Sequence, residues 1–314
     1  MAIWAAGILL VVVAAAFRPT ACAAAAIATA RPFGTLAAII TGSALADRLG
    51  AFRILSTAII PVRGARIATT AAVLALTAVL SAVINLDVAV VVAMPVALRA
   101  ARQQGLAAGR LAIAVAATAN AASFLLPTSN ITSLLLLGRV PLGTPAYLAG
   151  SWLPWILVTA ITLAPLAWWA AAAPPGLAGA TEAGPSARAV LDLVPMFGIA
   201  FAIRALLGTG IALHGGFASQ FAEGAALACG ASNLPAAAAI LPAGTPGLWA
   251  AILATTVGPN LLVTGSVATL IARRIARDAG ARFSAWQFSA AGIALVPVQL
   301  AAATLGLHFT GVLS

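Results

Sequence analysis

Charge is what this chain has least of. Only 7% of its 314 residues are Asp, Glu, Lys or Arg, lysine is absent, and the 6 acids stand singly. A soluble domain of this length does not carry 63% hydrophobic residues, so the class is a polytopic membrane protein. The apolar runs are continuous rather than alternating, which excludes a transmembrane β-barrel and leaves helices. Cysteine is equally scarce. Cys22 and Cys229 both lie in Ala-rich apolar context, which supports neither a disulfide framework nor a zinc cage. His214 and His308 are isolated, without metal-ligand spacing. No paired carboxylates, nucleophilic triad or phosphate loop occur, so neither an enzyme nor a cofactor is expected. The net charge of +10 would suit nucleic acid, but all 16 basic residues are Arg, and most fill short gaps between apolar runs. That distribution is an orientation signal for a membrane protein and excludes nucleic acid as a partner. The start, Ala2–Phe17, has the length of a signal peptide but no basic leader, and reads as a first helix.

What stands out against this background is a polar island. Pro127-Thr128-Ser129-Asn130-Ile131-Thr132-Ser133 separates the apolar runs Leu111–Leu126 and Leu134–Leu137. In hydrocarbon each unpaired polar group costs several kcal/mol, so such backbone survives only where it is packed in protein or lines a cavity. A spanning helix broken in this way points to a transporter's binding site.

The remaining segments fall into order around it. Ile3–Phe17 is a first span; Ala21–Ala30 is too short to cross and is ended by Arg31-Pro32; Phe33–Ala46 is the next span. A basic connector follows, within which Ile54–Val62 has the character of an interfacial piece. Residues 67–98 are apolar except for Asn85-Leu86-Asp87, with Arg at both ends. Two full spans need about 40 residues, so this segment is predicted to be a re-entrant hairpin with its tip at Asn85-Leu86-Asp87. The broken helix covers 111–137. Tyr147–Ala172 returns, with Trp152, Trp155, Trp168 and Trp169 as interfacial anchors. Residues 174–188 form the one long polar linker, rich in Pro and Gly. The second half then repeats the order: a hairpin at 217–242 with Ser232-Asn233-Leu234-Pro235 at its tip, and a broken helix at 248–272 interrupted at Gly258-Pro259-Asn260 and Thr264-Gly265-Ser266. The predicted fold is therefore an all-α polytopic membrane protein of two inverted repeats, 1–173 and 189–314, each with a re-entrant hairpin and a broken helix, the 174–188 linker being cytoplasmic. Around the breaks, Asn130-Ile131-Thr132-Ser133-Leu134 lies over Ser266-Val267-Ala268-Thr269-Leu270. Arg clustering puts the N-terminus in the cytoplasm of a multi-pass cell-membrane protein.

The four interruptions, together with Pro95 and the stretch Thr256–Arg274, resemble the ion transporter superfamily, and within it the arsenical pump membrane protein and citrate-transporter-like permeases. The likeness covers residues 33–314 and implies an elevator-type secondary transporter. There are departures from the family pattern. Helices are short of it in the 18–32 region and before the second hairpin. Asp87 stands where carboxylate-transporting relatives carry an Asn-Thr pattern.

Asn85, Asp87, Thr128, Ser129, Asn130, Thr132, Ser232, Asn233, Asn260, Thr264, Gly265 and Ser266 are the expected substrate- or ion-binding positions. Asp87 and Glu223 are the candidates for proton coupling. An acid at that depth is rare and usually functional, although Asp87 could equally serve as the N-cap of the helix after it. Glu223, with Gln220 one turn before it, reads mainly as a solvated hairpin stem. An ionised Asp87 disfavours a polycarboxylate at close range, and no Arg stands at any interruption. The leading expectation is therefore export of arsenite or a similar small inorganic solute by proton exchange. An organic-anion carrier of the citrate or dicarboxylate kind, a sodium/proton transporter, and a non-transporting subunit or scaffold are the alternatives. The expected partners are a small inorganic or organic ion, a proton or sodium as coupling ion, and the lipid bilayer. A second copy of the chain and a cytosolic ATPase are further candidates.

Overall fold

The computed structural model describes residues 2–50, 54, 57, 66–174, 189–207 and 210–313. The linker at 175–188 and most of the Ile54–Val62 piece lie outside them. Two helices come first, α1 (Ala2–Phe17) and α2 (Pro19–Arg48). The second corrects the expected short piece and stop at Arg31-Pro32. Its 30 residues run through both positions without a break, and the region expected to lack a helix has one. Proline ends helices in water more firmly than in an apolar surrounding, where leaving the helix would strip further backbone groups of partners that no water replaces.

The first half continues with α3 (Arg66–Val83), α4 (Leu86–Gln104), α5 (Ala108–Ala121), a 3-10 turn (Pro127–Ser129), α6 (Ile131–Leu137) and α7 (Thr144–Ala172). After α8 (Ala189–Leu207) the second half follows the same order: α9 (Phe217–Ala231), α10 (Asn233–Ala239), α11 (Gly244–Thr256), two 3-10 turns (Gly258–Leu261 and Val263–Gly265), α12 (Val267–Asp278) and α13 (Ala285–Phe309). Among the described residues α3, α7 and α13 are each long and apolar enough to cross a bilayer. One element departs from the all-α expectation. Ile211–Ala212 (β1) pairs in parallel with Ile240–Leu241 (β2) and ties the root of the second hairpin to the end of α10.

The helix breaks at α3–α4 and α9–α10 fall within a residue or two of the interruptions expected from the sequence. The first lies at Ile84-Asn85, and α4 extends beyond the expected end at Leu98 to Gln104. The second is Ser232 alone, with Pro235 in the first turn of α10, where its missing N–H costs nothing.

Packing crosses between the halves. α4 packs on α12, and α10 packs on α6, so an arm of each hairpin meets the other half's broken helix beyond its break. One core joins α3–α5 and α12 through Leu74, Met94, Ile113 and Ile271; a second joins α7, α9–α11 and α13 through Tyr147, Phe221, Ala237, Ile252 and Leu307. α1 and α2 lie on α8 through Ala14, Ala25, Ala202 and Ala205. Small side chains of this kind let helix backbones approach closely where lipid removes the hydrophobic drive between helices.

Candidate functional site

The first break needs partners for its unwound carbonyls, and α7 supplies them. Tyr147 Oη donates to Phe124 O at 3.1 Å, Ser151 Oγ to Leu125 O at 2.7 Å, and Trp155 Nε1 to Ala122 O at 2.9 Å. The three donors are spaced four residues apart, which puts them on one face of a helix. Trp155 is thus a clamp on the break rather than the interfacial anchor expected of it. On its other side the break is tied to the first hairpin. Ser129 Oγ donates to Ala82 O, and Asn85 Nδ2 to Thr128 O at 3.4 Å.

Asparagines close the helix starts. Asn85 Oδ1 accepts from Asp87 N at 2.8 Å, so Asn85, not Asp87, caps α4. This leaves the Asp87 carboxylate free of that duty. Asn130 Oδ1 accepts from Thr132 N at 3.0 Å and caps α6, while its Nδ2 donates to Ser123 Oγ at 3.2 Å across the break. Ser266 holds the matching place before α12. Its backbone, φ −140° and ψ 138°, matches that of Asn130, φ −147° and ψ 134°. The residues four positions earlier, Leu126 and Leu262, are both extended and both open a three-residue 3-10 turn.

The second break is held differently. Asn260 Oδ1 accepts from Asn120 Nδ2 at 2.9 Å, and Asn260 Nδ2 donates to Ala117 O at 3.1 Å, joining the break to α5. Asn120 also donates to Thr269 Oγ1 on α12 at 3.0 Å. Thr264 Oγ1 donates to Cys229 O at 3.1 Å, tying the break to α9. Gly265 is buried against Pro259, where an added Cβ would lie 2.7 Å from the Pro259 carbonyl oxygen.

Elements from all four interruptions meet at one small cavity. Asp87, Asn130, Thr132 and Asn233 line it with Ile131, Phe197, Leu234 and Val267. Its volume is about 10 Å³, roughly the space of one water molecule. None of these lining residues is basic. Asp87 is 6% exposed. The hydroxyls of Ser232 and Ser266, each next in sequence to a lining residue, are buried without a hydrogen-bond partner among the described residues.

The other expected positions lie around this centre. Asn85 is turned to the Thr128 carbonyl, Thr128 and Thr264 are exposed, Ser129 is bound to α3, and Asn260 belongs to the inter-helix knot. Glu223 is outside the cavity. Its Oε2 accepts from His214 N at 2.9 Å and lies 3.4 Å from His214 Nδ1, so His214 is partnered rather than isolated. Asn120, Tyr147 and Ser151 were missed from the sequence. The 147/151/155 spacing of polar handles in an apolar helix was the available signal for two of them, and a lone amide inside the apolar run Leu111–Leu126 was the signal for Asn120.

A family model described as citrate transporter matches residues 1–313. No curated protein and no solved structure matches the chain.

Proposed function

The chain belongs to the citrate transporter family, and from that premise we propose that it carries a citrate-type organic anion through the cavity between the four interruptions, with a coupling cation. Family membership indicates a secondary transporter in a multi-pass membrane protein. The single observation that carries the site assignment is the convergence of Asp87, Asn130, Thr132 and Asn233, from three separate interruptions, on one cavity beside the start of α12. Amides, hydroxyls and helix starts offer donors to carboxylate oxygens. The unpartnered hydroxyls of Ser232 and Ser266 would be matched by a ligand.

With an acid in the lining and no basic side chain to offset it, a polycarboxylate must arrive with positive charge. A proton on Asp87, or sodium beside it, serves. Asp87 is then both the coupling group and the reason the anion travels accompanied. Two inverted repeats, 1–173 and 189–314, with re-entrant hairpins, are the architecture this mechanism needs. The reciprocal packing of α4 on α12 and of α10 on α6 supports it, as does the matched backbone at Asn130 and Ser266. The N-terminus is placed in the cytoplasm by Arg distribution alone.

Arsenite export by proton exchange is the second reading. It is favoured by the size of the cavity and by its neutral and acidic lining, which suit a small uncharged hydroxide better than a tricarboxylate. Flux into reconstituted vesicles separates the two. Labelled citrate uptake that depends on a proton or sodium gradient, and that Asn130→Ala abolishes in protein still monodisperse in detergent, is the expected result. Asp87→Asn is expected to keep counterflow exchange but to lose the gradient dependence. Arsenite flux without citrate flux would select the second reading, and absence of both would leave a non-transporting subunit.

A further inference from the structure

On the outer surface between α7 and α13 lies a second concavity, unconnected with the polar site. Its volume is about 400 Å³, and its walls are Leu166, Trp168 and Trp169 on α7 and Trp286, Ala291 and Leu295 on α13. Both walls are helices apolar enough to cross a bilayer, which suits the groove to lipid rather than water. Trp168 is 65% and Trp286 76% exposed, an exposure that large indole rings accept at the headgroup level of a membrane.

The groove also has a length and a charged mouth. From Trp286 to Leu295, nine residues of helix extend about 14 Å, close to half of the roughly 30 Å hydrocarbon core. It is the depth of one leaflet. At the tryptophan end stand two arginines. The Arg110 guanidinium lies 5.0 Å from the Trp169 ring centre and donates to the Trp169 carbonyl at 3.3 Å. Arg282 is exposed four residues before Trp286, and its backbone lies against Gly109, next to Arg110. No acid lines the groove.

We propose that this groove binds one anionic phospholipid, an acyl chain lying along Leu166, Ala291 and Leu295 and the phosphate at Arg282 and Arg110. The aromatic rings at the mouth cover the glycerol region. Arg110 is fixed by its stacking on Trp169, which makes it a preformed part of the site, whereas Arg282 is free to move onto the headgroup. A lipid here bridges α7 and α13, the two helices that each follow a broken helix.

The test is tryptophan quenching in phosphatidylcholine vesicles holding a small, equal mole fraction of either brominated-chain phosphatidylglycerol or brominated-chain phosphatidylcholine. The anionic lipid is expected to quench the full-length protein more strongly, because one arginine near a lipid surface is worth about a fivefold preference. Arg282→Gln, an exposed change, should reduce that preference about fivefold. Ala294→Phe fills the groove with both arginines intact and should remove the excess as well. Equal quenching by the two lipids overturns the proposal, as does an excess that is undiminished in either variant. Excess quenching that appears only after deletion of residues 175–188 would assign the groove to that segment and overturn it too.

Discussion

The two broken helices solve one physical problem in two ways. Each must unwind inside an apolar protein without leaving carbonyls bare. At the first break the helix that follows, α7, reaches in with side chains: Tyr147, Ser151 and Trp155 donate to three carbonyls. At the second, the corresponding helix α13 offers no such donors and comes close instead. Gly292 lies on the Asn260 carbonyl so tightly that any Cβ would overlap it. The second break is then fastened by amides, Asn260 to α5 and Asn120 to Asn260 and Thr269. A repeated backbone therefore does not require a repeated means of support. What recurs is the conformation at Asn130 and Ser266, and the side chains that hold it have diverged.

The largest effect is expected where the support is backbone contact. Gly292→Val places branched atoms inside the Asn260 carbonyl, and no side-chain rotation relieves the overlap. Overpacking of well-packed sites costs about 1–3 kcal/mol and more where backbone must move. The variant should lose its single peak in size-exclusion chromatography, or unfold at a much lower temperature. A variant as stable as wild type would mean that α13 is free to shift, and the contrast between the breaks would fail.

The first break should fail more gently, because its support is divided among three donors. Tyr147→Phe and Trp155→Phe each leave one buried carbonyl without its donor, at about 1–3 kcal/mol. Thermal unfolding in detergent should show each loss, and the double variant should lose more than either alone. No change in Tyr147→Phe would show that the Phe124 carbonyl finds another donor.

Much of this arrangement was legible in the sequence, and the part that was not has a physical reason. Polar residues inside long apolar runs marked all four interruptions, because polarity at such depth has few uses. The tips were placed to within a residue or two because Asn85 and Ser232-Asn233 have few roles inside an apolar segment other than capping and binding. The error at Arg31-Pro32 came from applying the behaviour of proline in water to a helix in an apolar surrounding, where backbone that leaves the helix finds no water to replace its hydrogen bonds. Asn120 was missed because it stands one residue before the end of α5, within the stretch Leu111–Leu126 that reads as one apolar run ahead of the polar island. Only the fold brings it to Asn260, 140 residues away. The pairing of His214 with Glu223 was hidden for the same reason, since it depends on a loop whose path β1 and β2 determine.

The Asn120–Asn260 contact measures how firmly the second break is tied to the first half. A double-mutant cycle with Asn120→Ala and Asn260→Ala should give a coupling of about 1 kcal/mol, the size seen for contacting residues in one network. A corresponding cycle between Asn130 and Asn260, which share no hydrogen bond, should be close to additive. Additivity in the first pair would remove the amide knot as the second break's fastening.

The smallest expected effect separates the two hairpin tips. Asn85 turns the first tip in extended backbone, φ −174°, and caps α4 with its own side chain. Ser232 turns the second at φ 76° and ψ 154°, a region that is essentially glycine's, and holding a residue with a Cβ there costs about 1–3 kcal/mol. Its side chain makes no cap bond, and its hydroxyl is buried without a partner among the described residues. A strained serine where glycine would rest easily implies that the hydroxyl has a use. Ser232→Gly should therefore raise the unfolding temperature slightly, consistent with about 1 kcal/mol of strain relieved, and lower the rate of citrate uptake. Ser232→Ala keeps the strained backbone, so it should lower uptake without the same gain in stability. The pair separates conformation from chemistry. Full uptake in both variants, with stability raised only by glycine, would make the second tip a turn like the first and remove Ser232 from the proposed site.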